Sequence, residues 1–329
     1  MNKLLLCGGQ QKYKHENEWS GYQNGKALIL DLNDLSVENC INYRSPSEAL
    51  PESKEASVLF KAASSMKNNL ETMLCTQTEI LKLSNVERKI LSSVSLSVFN
   101  DVHHVFQLSN NYLAVVSTGL DAVFVINEEG VIQESYSVLS DKSIWERFDK
   151  QIDYRKYLTT KPHAAHPNFG FEYNNEIWVS RFNQKDIFNV NTGKSINIGV
   201  GNPHDGILKG DTSYLTTTNG NIVLINMITM SVERCFNIRE LYETSKTIGW
   251  CRSIYVIDEK KFIVGFSRIR PTKFEQNLLW LKRKITDGYQ GSLPTRIACF
   301  DFDKKNIEWE LDLEKYDMNA IFSITDFMY

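Results

Sequence analysis

Residues 101–138 read DVHHVFQLSNNYLAVVSTGLDAVFVINEEGVIQESYSV, and this stretch decides the fold. It contains four short runs rich in β-branched and aromatic residues, joined by Ser-Asn-Asn, Gly-Leu-Asp and Glu-Glu-Gly. Runs of this length and composition, bounded by turn residues, predict β-strands. Because the connections are only a few residues long, consecutive strands must run antiparallel. The stretch therefore predicts a four-stranded antiparallel meander.

The same four-strand pattern recurs along the chain. It is found again at 57–96, 166–200, 205–238 and 251–313, and repeats of about 40–60 residues of this kind are typical of β-propellers. The chain starts with three further strands and finishes with one, at 319–327. We therefore predict a single all-β domain over residues 1–329: a six-bladed β-propeller closed by pairing of the C-terminal strand with the N-terminal strands. A doubly wound α/β fold would need helices between the strands, and only 141–157 and 272–285 could be helical.

Composition narrows the choice of partners and compartment. A formal net charge of −3 predicts no general attraction to nucleic acid or to an anionic membrane. The start, MNKLLLCGGQ, has too short an apolar run for a signal peptide. No stretch approaches the roughly 18 apolar residues of a membrane span. The six cysteines form no CxxC pair. We therefore expect a cytoplasmic protein with reduced thiols.

Polar residues collect just before the innermost strand of each predicted blade. Examples are VHH at 102–104, HAAHPNFG at 163–170, NPHDG at 202–206 and GWCRS at 249–253. In a blade of antiparallel strands, the loop into the first strand and the loop between the second and third lie on the same face. The predicted insertions at about 9–25, 139–164 and 271–294 fall on that face too. They could form lids, or surfaces for a partner or a second copy of the chain.

Two kinds of chemistry fit the histidines on this face. Neutral imidazoles from adjacent blades could bind a divalent metal ion (Zn, Fe, Cu or Ca), and the candidate ligands are His104, His163, His166 and His204. Without a metal, the same region could perform acid–base or nucleophilic catalysis. The candidate catalytic residues are His104, His204, Asp205 and Cys251.

Arginines on the same face indicate an anionic substrate, because guanidinium groups bind carboxylate, phosphate or sulfate through paired hydrogen bonds. Arg268 and Arg270 are two residues apart and so share one face of a strand. The candidate substrate-binding residues are Arg181, Arg252, Arg268, Arg270, Asp121 and Asn319. The sequence has no glycine-rich phosphate loop, so we expect no nucleotide cofactor.

The segments HPNF, GNPHDG, GWCRS and VGFSRIR, within residues 100–328, resemble a family of bacterial six-bladed propellers of unknown function. That family is distantly similar to the NHL and TolB-like groups. The resemblance implies the propeller fold and brings no assigned reaction. The layout is also similar to that of propeller lyases, lactonases and arylsulfotransferases, whose detailed motifs are not found here.

These observations predict an enzyme, either hydrolase, lyase or isomerase, that acts on a small anionic substrate at the mouth of the propeller channel. The alternative is a non-catalytic propeller that binds a glycan or a protein partner on the same face. A third interpretation is structural: polar residues on inner strands can solvate the channel or hold neighbouring blades together.

Overall fold

The computed structural model describes residues 2–12, 21–53, 56–244, 246–269 and 291–328. In these ranges the chain forms 24 β-strands and six short 3-10 helices. The strands are β1 (Lys3–Gln11), β2 (Tyr22–Asp31), β3 (Val37–Tyr43), β4 (Ala62–Ser65), β5 (Glu71–Cys75), β6 (Ile80–Ser84), β7 (Lys89–Val94), β8 (Val102–Gln107), β9 (Leu113–Ser117), β10 (Ala122–Ile126), β11 (Ile132–Ser137), β12 (Pro167–Tyr173), β13 (Glu176–Arg181), β14 (Asp186–Asn189), β15 (Ser195–Asn197), β16 (Pro203–Lys209), β17 (Thr212–Thr217), β18 (Asn221–Asn226), β19 (Ser231–Asn237), β20 (Trp250–Val256), β21 (Lys261–Ser267), β22 (Arg296–Asp301), β23 (Asn306–Asp312) and β24 (Ala320–Asp326). The 3-10 helices are Ser47–Ala49, Thr118–Leu120, Ile144–Glu146, Tyr154–Lys156, Ile238–Leu241 and Glu314–Tyr316.

The strands form six four-stranded antiparallel sheets, which confirms the predicted six-bladed propeller. Blade 1 has the order β24-β1-β2-β3, and blades 2 to 6 are β4–β7, β8–β11, β12–β15, β16–β19 and β20–β23. β24 pairs with β1, so the two ends of the chain complete one sheet. This pairing closes the ring and leaves no open edge between the first blade and the last.

Apolar side chains fill the spaces between neighbouring blades. One cluster joins blades 2 and 3 around Phe99 and Phe124, and another joins blades 5 and 6 around Phe262 and Phe266. The innermost strand of each blade contacts the innermost strands of its two neighbours, in the order β24, β4, β8, β12, β16, β20 and back to β24. The six inner strands therefore surround a central channel, and their N-terminal ends meet at one mouth.

The insertion predicted at 139–164 packs closely against blades 2 and 3. Ile144 and Tyr154 are buried in the apolar cluster between these blades, and the backbone N–H of Tyr154 donates to the carbonyl of Ser97. Its two 3-10 helices replace the continuous helix that the sequence allowed. Much of the other two insertions lies outside the described residues, as do His15 and Arg270. Among the described residues, no helix is long and apolar enough to cross a membrane.

Candidate functional site at the channel mouth

An extra residue interrupts the regular pairing of five of the six inner strands. In β8, β12, β16, β20 and β24, one more residue stands on the inner strand than on the partner strand beside it. Such β-bulges bend a strand and redirect side chains, and they are frequent near functional sites. Here the bulges lie at or near the start of each inner strand, close to the mouth.

Blades 4 and 5 make this bulge with the same sequence pattern, Pro-x-x-Gly. In each blade the inner strand advances by three residues while its partner strand advances by two, from Pro167 to Gly170 in blade 4 and from Pro203 to Gly206 in blade 5. Gly206 is required because a Cβ there would lie 2.5 Å from the carbonyl oxygen of Tyr214. The NPHDG segment therefore begins strand β16 with a bulge, and this bulge changes the direction that the His204 side chain would have in a regular strand.

One residue from each blade contributes to a cluster at the mouth, which we call the mouth cluster. The members are Phe322 of blade 1, Lys61 of blade 2, His103 of blade 3, His166 of blade 4, His204 of blade 5 and Arg252 of blade 6. The ring centroid of His103 is 5.4 Å from that of His166 and 5.9 Å from that of His204. The guanidinium of Arg252 and the ammonium of Lys61 both lie near the Phe322 ring, at 4.3 and 5.5 Å from its centroid.

Lys61 and Asp101 form an ion pair on one side of the cluster, with 2.6 Å between Nζ and Oδ1. Burial raises the pKa of Asp101, but the Lys61 ammonium outweighs that effect and holds this pKa well below its usual range. Lys61 Nζ also lies 3.3 Å from Nε2 of His103. The carboxylate is thus paired with Lys61, whereas Arg252 forms no ion pair among the described residues.

The hydrogen bonds of His103 define its tautomer. The Thr118 hydroxyl donates to the carbonyl of Pro167, so it accepts at its contact of 2.9 Å with His103 Nδ1. The Asp101 carbonyl is a second acceptor, also 2.9 Å from that nitrogen. His103 therefore carries its proton on Nδ1, and its Nε2 accepts from the Lys61 ammonium 3.3 Å away.

Burial lowers the pKa of every described histidine. It lowers the pKa of His166 to about 4, and it lowers those of His103 and His204 well below the ordinary value. The positive charge of Arg252 adds to this effect at His204. At neutral pH the imidazoles of the mouth cluster are therefore uncharged, and the charge at the mouth is that of Lys61, Arg252 and Asp101.

Arg252 has no acidic partner among the described residues. Its contacts there are with aromatic rings, those of Phe322 and of Trp250, the latter at 5.9 Å. Its Nε is buried and makes no hydrogen bond, and the same is true of Nδ1 of His204. Buried polar atoms without partners are rare in folded proteins and indicate a missing water, ion or ligand. Two such atoms on adjacent inner strands make this part of the mouth a candidate binding site.

The structure places three of the predicted substrate-binding residues in ion pairs or backbone anchors instead. Arg181 forms a buried pair with Asp186, its direct partner across the β13–β14 hairpin. Arg268 donates from Nε and Nη2 to the two carboxylate oxygens of Glu314. Asn319 accepts the backbone N–H of Gln11 and so helps to join β24 to β1. Of the described arginines that the sequence predicted, Arg252 is the one left without a carboxylate.

Asp121 also has a different role from the one predicted. Its buried carboxylate accepts the backbone N–H groups of Ala164, Ala165 and His166 at 2.7–3.0 Å, and it pairs with Arg147. These bonds hold the loop that carries both His163 and His166. Asp121 therefore positions the loop, and its oxygens are engaged by that loop and by Arg147.

His104 lies apart from the mouth cluster because adjacent residues of a strand face opposite ways, and the bulge places His103 toward the channel. The His104 ring packs against Phe169 of the next blade, and its Nε2 lies 3.4 Å from the Ser64 hydroxyl. Burial lowers its pKa to about 3. The prediction of His104 as a metal ligand and catalytic group does not agree with this position.

Cys251 and Asp205 are both buried beside the mouth cluster. Burial raises the pKa of the Cys251 thiol, and the nearby Asp205 carboxyl raises it further. Burial likewise raises the pKa of Asp205 well above its ordinary value. A thiol kept protonated is a poor nucleophile, so the proposed nucleophilic role of Cys251 is not supported by its surroundings.

The sequence did not single out Lys61, Asp101 or Phe322. Lys61 stands directly before the inner strand of blade 2, the position that His103, His204 and Arg252 occupy near the start of theirs. Blade 2 has the weakest strand pattern of the six, and its inner strand carries no bulge toward β5. Polar residues at the start of an innermost strand mark the mouth in the other blades, and Lys61 could have been predicted at the mouth for the same reason.

Comparisons with known proteins support the fold alone. No protein-family profile matches the chain, and no curated protein matches it. A crystal structure of a Bacteroides caccae protein of unknown function is similar over 98% of both chains, with 12% identity and a TM-score of 0.60. The β-propeller domain of Myceliophteria thermophila Cps50 (Swd1) is similar over 89% of this chain and 82% of that one, with 10% identity and a TM-score of 0.50. The chain is thus a six-bladed β-propeller, and its resemblance to the NHL and TolB-like groups stays a prediction.

Proposed function

We propose that this propeller is an enzyme that binds a small anionic substrate at the channel mouth and acts on it by proton transfer, as a hydrolase, lyase or isomerase. The observation that carries the proposal is the half-buried guanidinium of Arg252, whose buried Nε makes no hydrogen bond and which forms no ion pair among the described residues. A carboxylate, phosphate or sulfate would supply the missing charge and accept its free N–H.

The neighbours of Arg252 suit the same ligand. An anion beside its guanidinium would also lie near His204, whose Nδ1 has no partner. Lys61 adds a second positive group near the Phe322 ring, 5.5 Å from its centroid. Because Arg252 and His204 stand on bulged strands of a closed ring, they need little rearrangement on binding.

The histidines supply the catalytic part of the proposal. The Nε2 lone pair of His103 lies 3.3 Å from the Lys61 ammonium, and in this proposal Lys61 turns to the bound anion and frees that lone pair to accept a proton from the substrate. Burial and the nearby cations keep the imidazoles uncharged, so they are in the form that a general base requires. A bound anion would offset those cations and raise the pKa values of the histidines toward neutrality.

A second candidate is a glycan-binding protein without catalytic activity. The observation that favours it is Trp250, which is 38% exposed at the rim. This side chain borders a groove of about 400 Å³ whose other lining residues include Thr218, Asn219 and Thr247. An exposed indole beside hydroxyl and amide groups suits the apolar face of a sugar ring.

The proposal is tested by measuring thermal stabilisation with a panel of small carboxylates, phosphates, sulfates and neutral sugars. Two variants are compared with the wild type: Arg252→Met, and the matched control Arg268→Met, whose guanidinium binds Glu314. An anion present at 100 times its Kd stabilises the wild type by about 2.7 kcal/mol. We expect this gain to persist in Arg268→Met and to vanish in Arg252→Met.

Stabilising anions are then assayed for turnover by the wild type and His103→Gln. Conversion that depends on His103 supports the enzyme, whereas binding without conversion of any stabilising compound supports the non-catalytic alternative. Stabilisation by neutral sugars alone, unaffected by Arg252→Met, would contradict the anion site.

A further inference from the structure

We propose that Asp101, His163 and His166 form a divalent metal site that shares His166 with the mouth cluster. One ligand atom from each of these residues lies within 4.8 Å of the other two. Two neutral imidazoles and one carboxylate match first-row metals such as Zn²⁺ and Fe²⁺. Three protein ligands would leave positions open for water or substrate, as in catalytic metal sites.

The two histidines already converge on one point. His163 Nδ1 and His166 Nδ1 are 2.7 Å apart, the distance of a single shared hydrogen bond. Nitrogen ligands that bind one metal ion at about 2.0–2.1 Å lie about 3.3 Å from each other in a tetrahedral site. For a metal ion to replace the shared proton, the two nitrogens would separate by about 0.6 Å and the Asp101 oxygen would close in from within 4.8 Å.

The surroundings of His163 fix the tautomer that a metal requires. The Thr160 hydroxyl donates to the carbonyl of Gly119, so it accepts at its 3.3 Å contact with His163 Nε2. His163 therefore holds its proton on Nε2 and directs the Nδ1 lone pair at His166. Ligand histidines in metal proteins commonly have their second nitrogen bound in this way. On metal binding, the Nδ1 proton of His166 moves to its own Nε2, so no net charge is lost or gained by the rings.

Asp101 keeps one oxygen for a ligand. Its contacts with Lys61 and His103 both involve Oδ1, and Oδ2 makes no hydrogen bond among the described residues. Asp101 also adopts a left-handed backbone conformation, with φ of 52°, and His166 does so with φ of 57°. Residues other than glycine rarely adopt this conformation, and it concentrates at functional sites.

The ligand set differs from the one that the sequence indicated. His163 and His166 are retained, Asp101 replaces His204, and His104 faces the space between blades. His204 belongs to the mouth cluster, on the side of Arg252 and Phe322, where its ring centroid is 5.9 Å from that of Phe322. This difference supplies a matched control, since His204→Asn removes a mouth histidine without touching the proposed ligands.

The test is titration of metal-free protein with Zn²⁺ and Co²⁺, followed by calorimetry and by the visible absorption of bound Co²⁺. The protein must be purified without a metal-affinity tag. We expect one metal ion per chain in the wild type and in His204→Asn. Binding should weaken at least about 100-fold in His163→Asn and His166→Asn, and about 10–100-fold in Thr160→Val, which removes the group that orients His163.

Circular dichroism and thermal unfolding identify any variant that fails to fold, and His163→Gln then replaces His163→Asn. The proposal is overturned if folded wild type binds no metal at micromolar concentrations. It is also overturned if binding survives loss of His163 and His166, or is lost with His204. Metal binding does not depend on Arg252, so this site and the anion site can be tested separately with Arg252→Met.

Discussion

Replacement of Asp121 by Asn should destabilise the protein strongly, because this carboxylate holds the histidine loop together. Oδ1 accepts the N–H groups of Ala165 and His166, and Oδ2 accepts that of Ala164 and pairs with Arg147. An asparagine keeps one acceptor oxygen, but in place of the other oxygen it has an NH₂ group, which would face N–H donors that it cannot accept. Asp121 has φ of 48°, which asparagine also adopts readily, so the backbone conformation adds little to the effect.

The expected loss follows from the burial of this group, which is 2% exposed. Removing one partner from a buried, charged hydrogen-bond network typically costs about 3–5 kcal/mol. For a chain of this size, that corresponds to a fall in Tm of roughly 4–7 °C. The free energy of unfolding is measured by urea denaturation, followed by circular dichroism.

Arg147→Met is the matched control for Asp121→Asn. Arg147 is partly exposed, and Asp121 keeps its three backbone donors in that variant, so a loss of only about 1 kcal/mol is expected. If Asp121→Asn unfolds within about 1 kcal/mol of the wild type, the carboxylate does not organise this loop, and the account of how His163 and His166 are positioned is wrong.

Three further predictions concern the site and its surroundings. Burial lowers the pKa of His166 to about 4 and that of His104 to about 3, so each imidazole is neutral in the folded protein and takes up a proton more readily in the unfolded chain. As pH falls from about 6.5 toward those values, each histidine should therefore lower the free energy of unfolding by up to about 1.4 kcal/mol per pH unit. Urea unfolding of His104→Gln should show a weaker dependence of the free energy of unfolding on pH over this range. Cys235 is exposed whereas Cys251 is buried with a raised pKa, so iodoacetamide at pH 8 should label Cys235 in the folded protein and leave Cys251 unlabelled. Peptide mass spectrometry identifies the labelled cysteine, and rapid labelling of Cys251 would contradict its buried position. Arg181→Met leaves Asp186 buried and unpaired, so it should lower the free energy of unfolding in urea by about 3–5 kcal/mol without weakening anion binding. Weaker anion binding by the folded variant would instead place Arg181 at the binding site.

The fold could be predicted from local patterns alone. Each blade is a run of four short strands joined by turns, and the three-plus-one arrangement at the chain ends is visible in the order of the strands. Alternating strand direction also places the starts of all inner strands at one mouth, which is why His166, His204 and Arg252 were correctly grouped on one face.

Side-chain direction at the mouth could not be predicted, because it depends on the bulges. In β8 the extra residue decides that His103 faces the channel and His104 the neighbouring blade, and the sequence HH gives no sign of which will do so. The NPHDG and HPNFG segments carry the clearest trace of a bulge, in their shared Pro-x-x-Gly pattern.

The partners of the arginines were predictable only where they are local. Arg181 and Asp186 face each other across a short hairpin, so this pair could have been found from the sequence. Glu314 lies 46 residues from Arg268 and reaches it only through the folded blade. Among these described arginines, Arg252 is the one without an ion pair. This difference follows from the packing of the six blades, which no local sequence pattern contains.

The central claim is that Arg252 binds an anion at the channel mouth, and a crystal soaked in selenate tests it most directly. Selenate carries the charge and shape of sulfate, and its anomalous scattering locates it independently of other density. We expect an anomalous peak within hydrogen-bond distance of the Arg252 guanidinium, and we expect it to be absent in crystals of Arg252→Met. Peaks confined to other surfaces, with the Arg252 side chain bound instead by a carboxylate of its own chain, would contradict it.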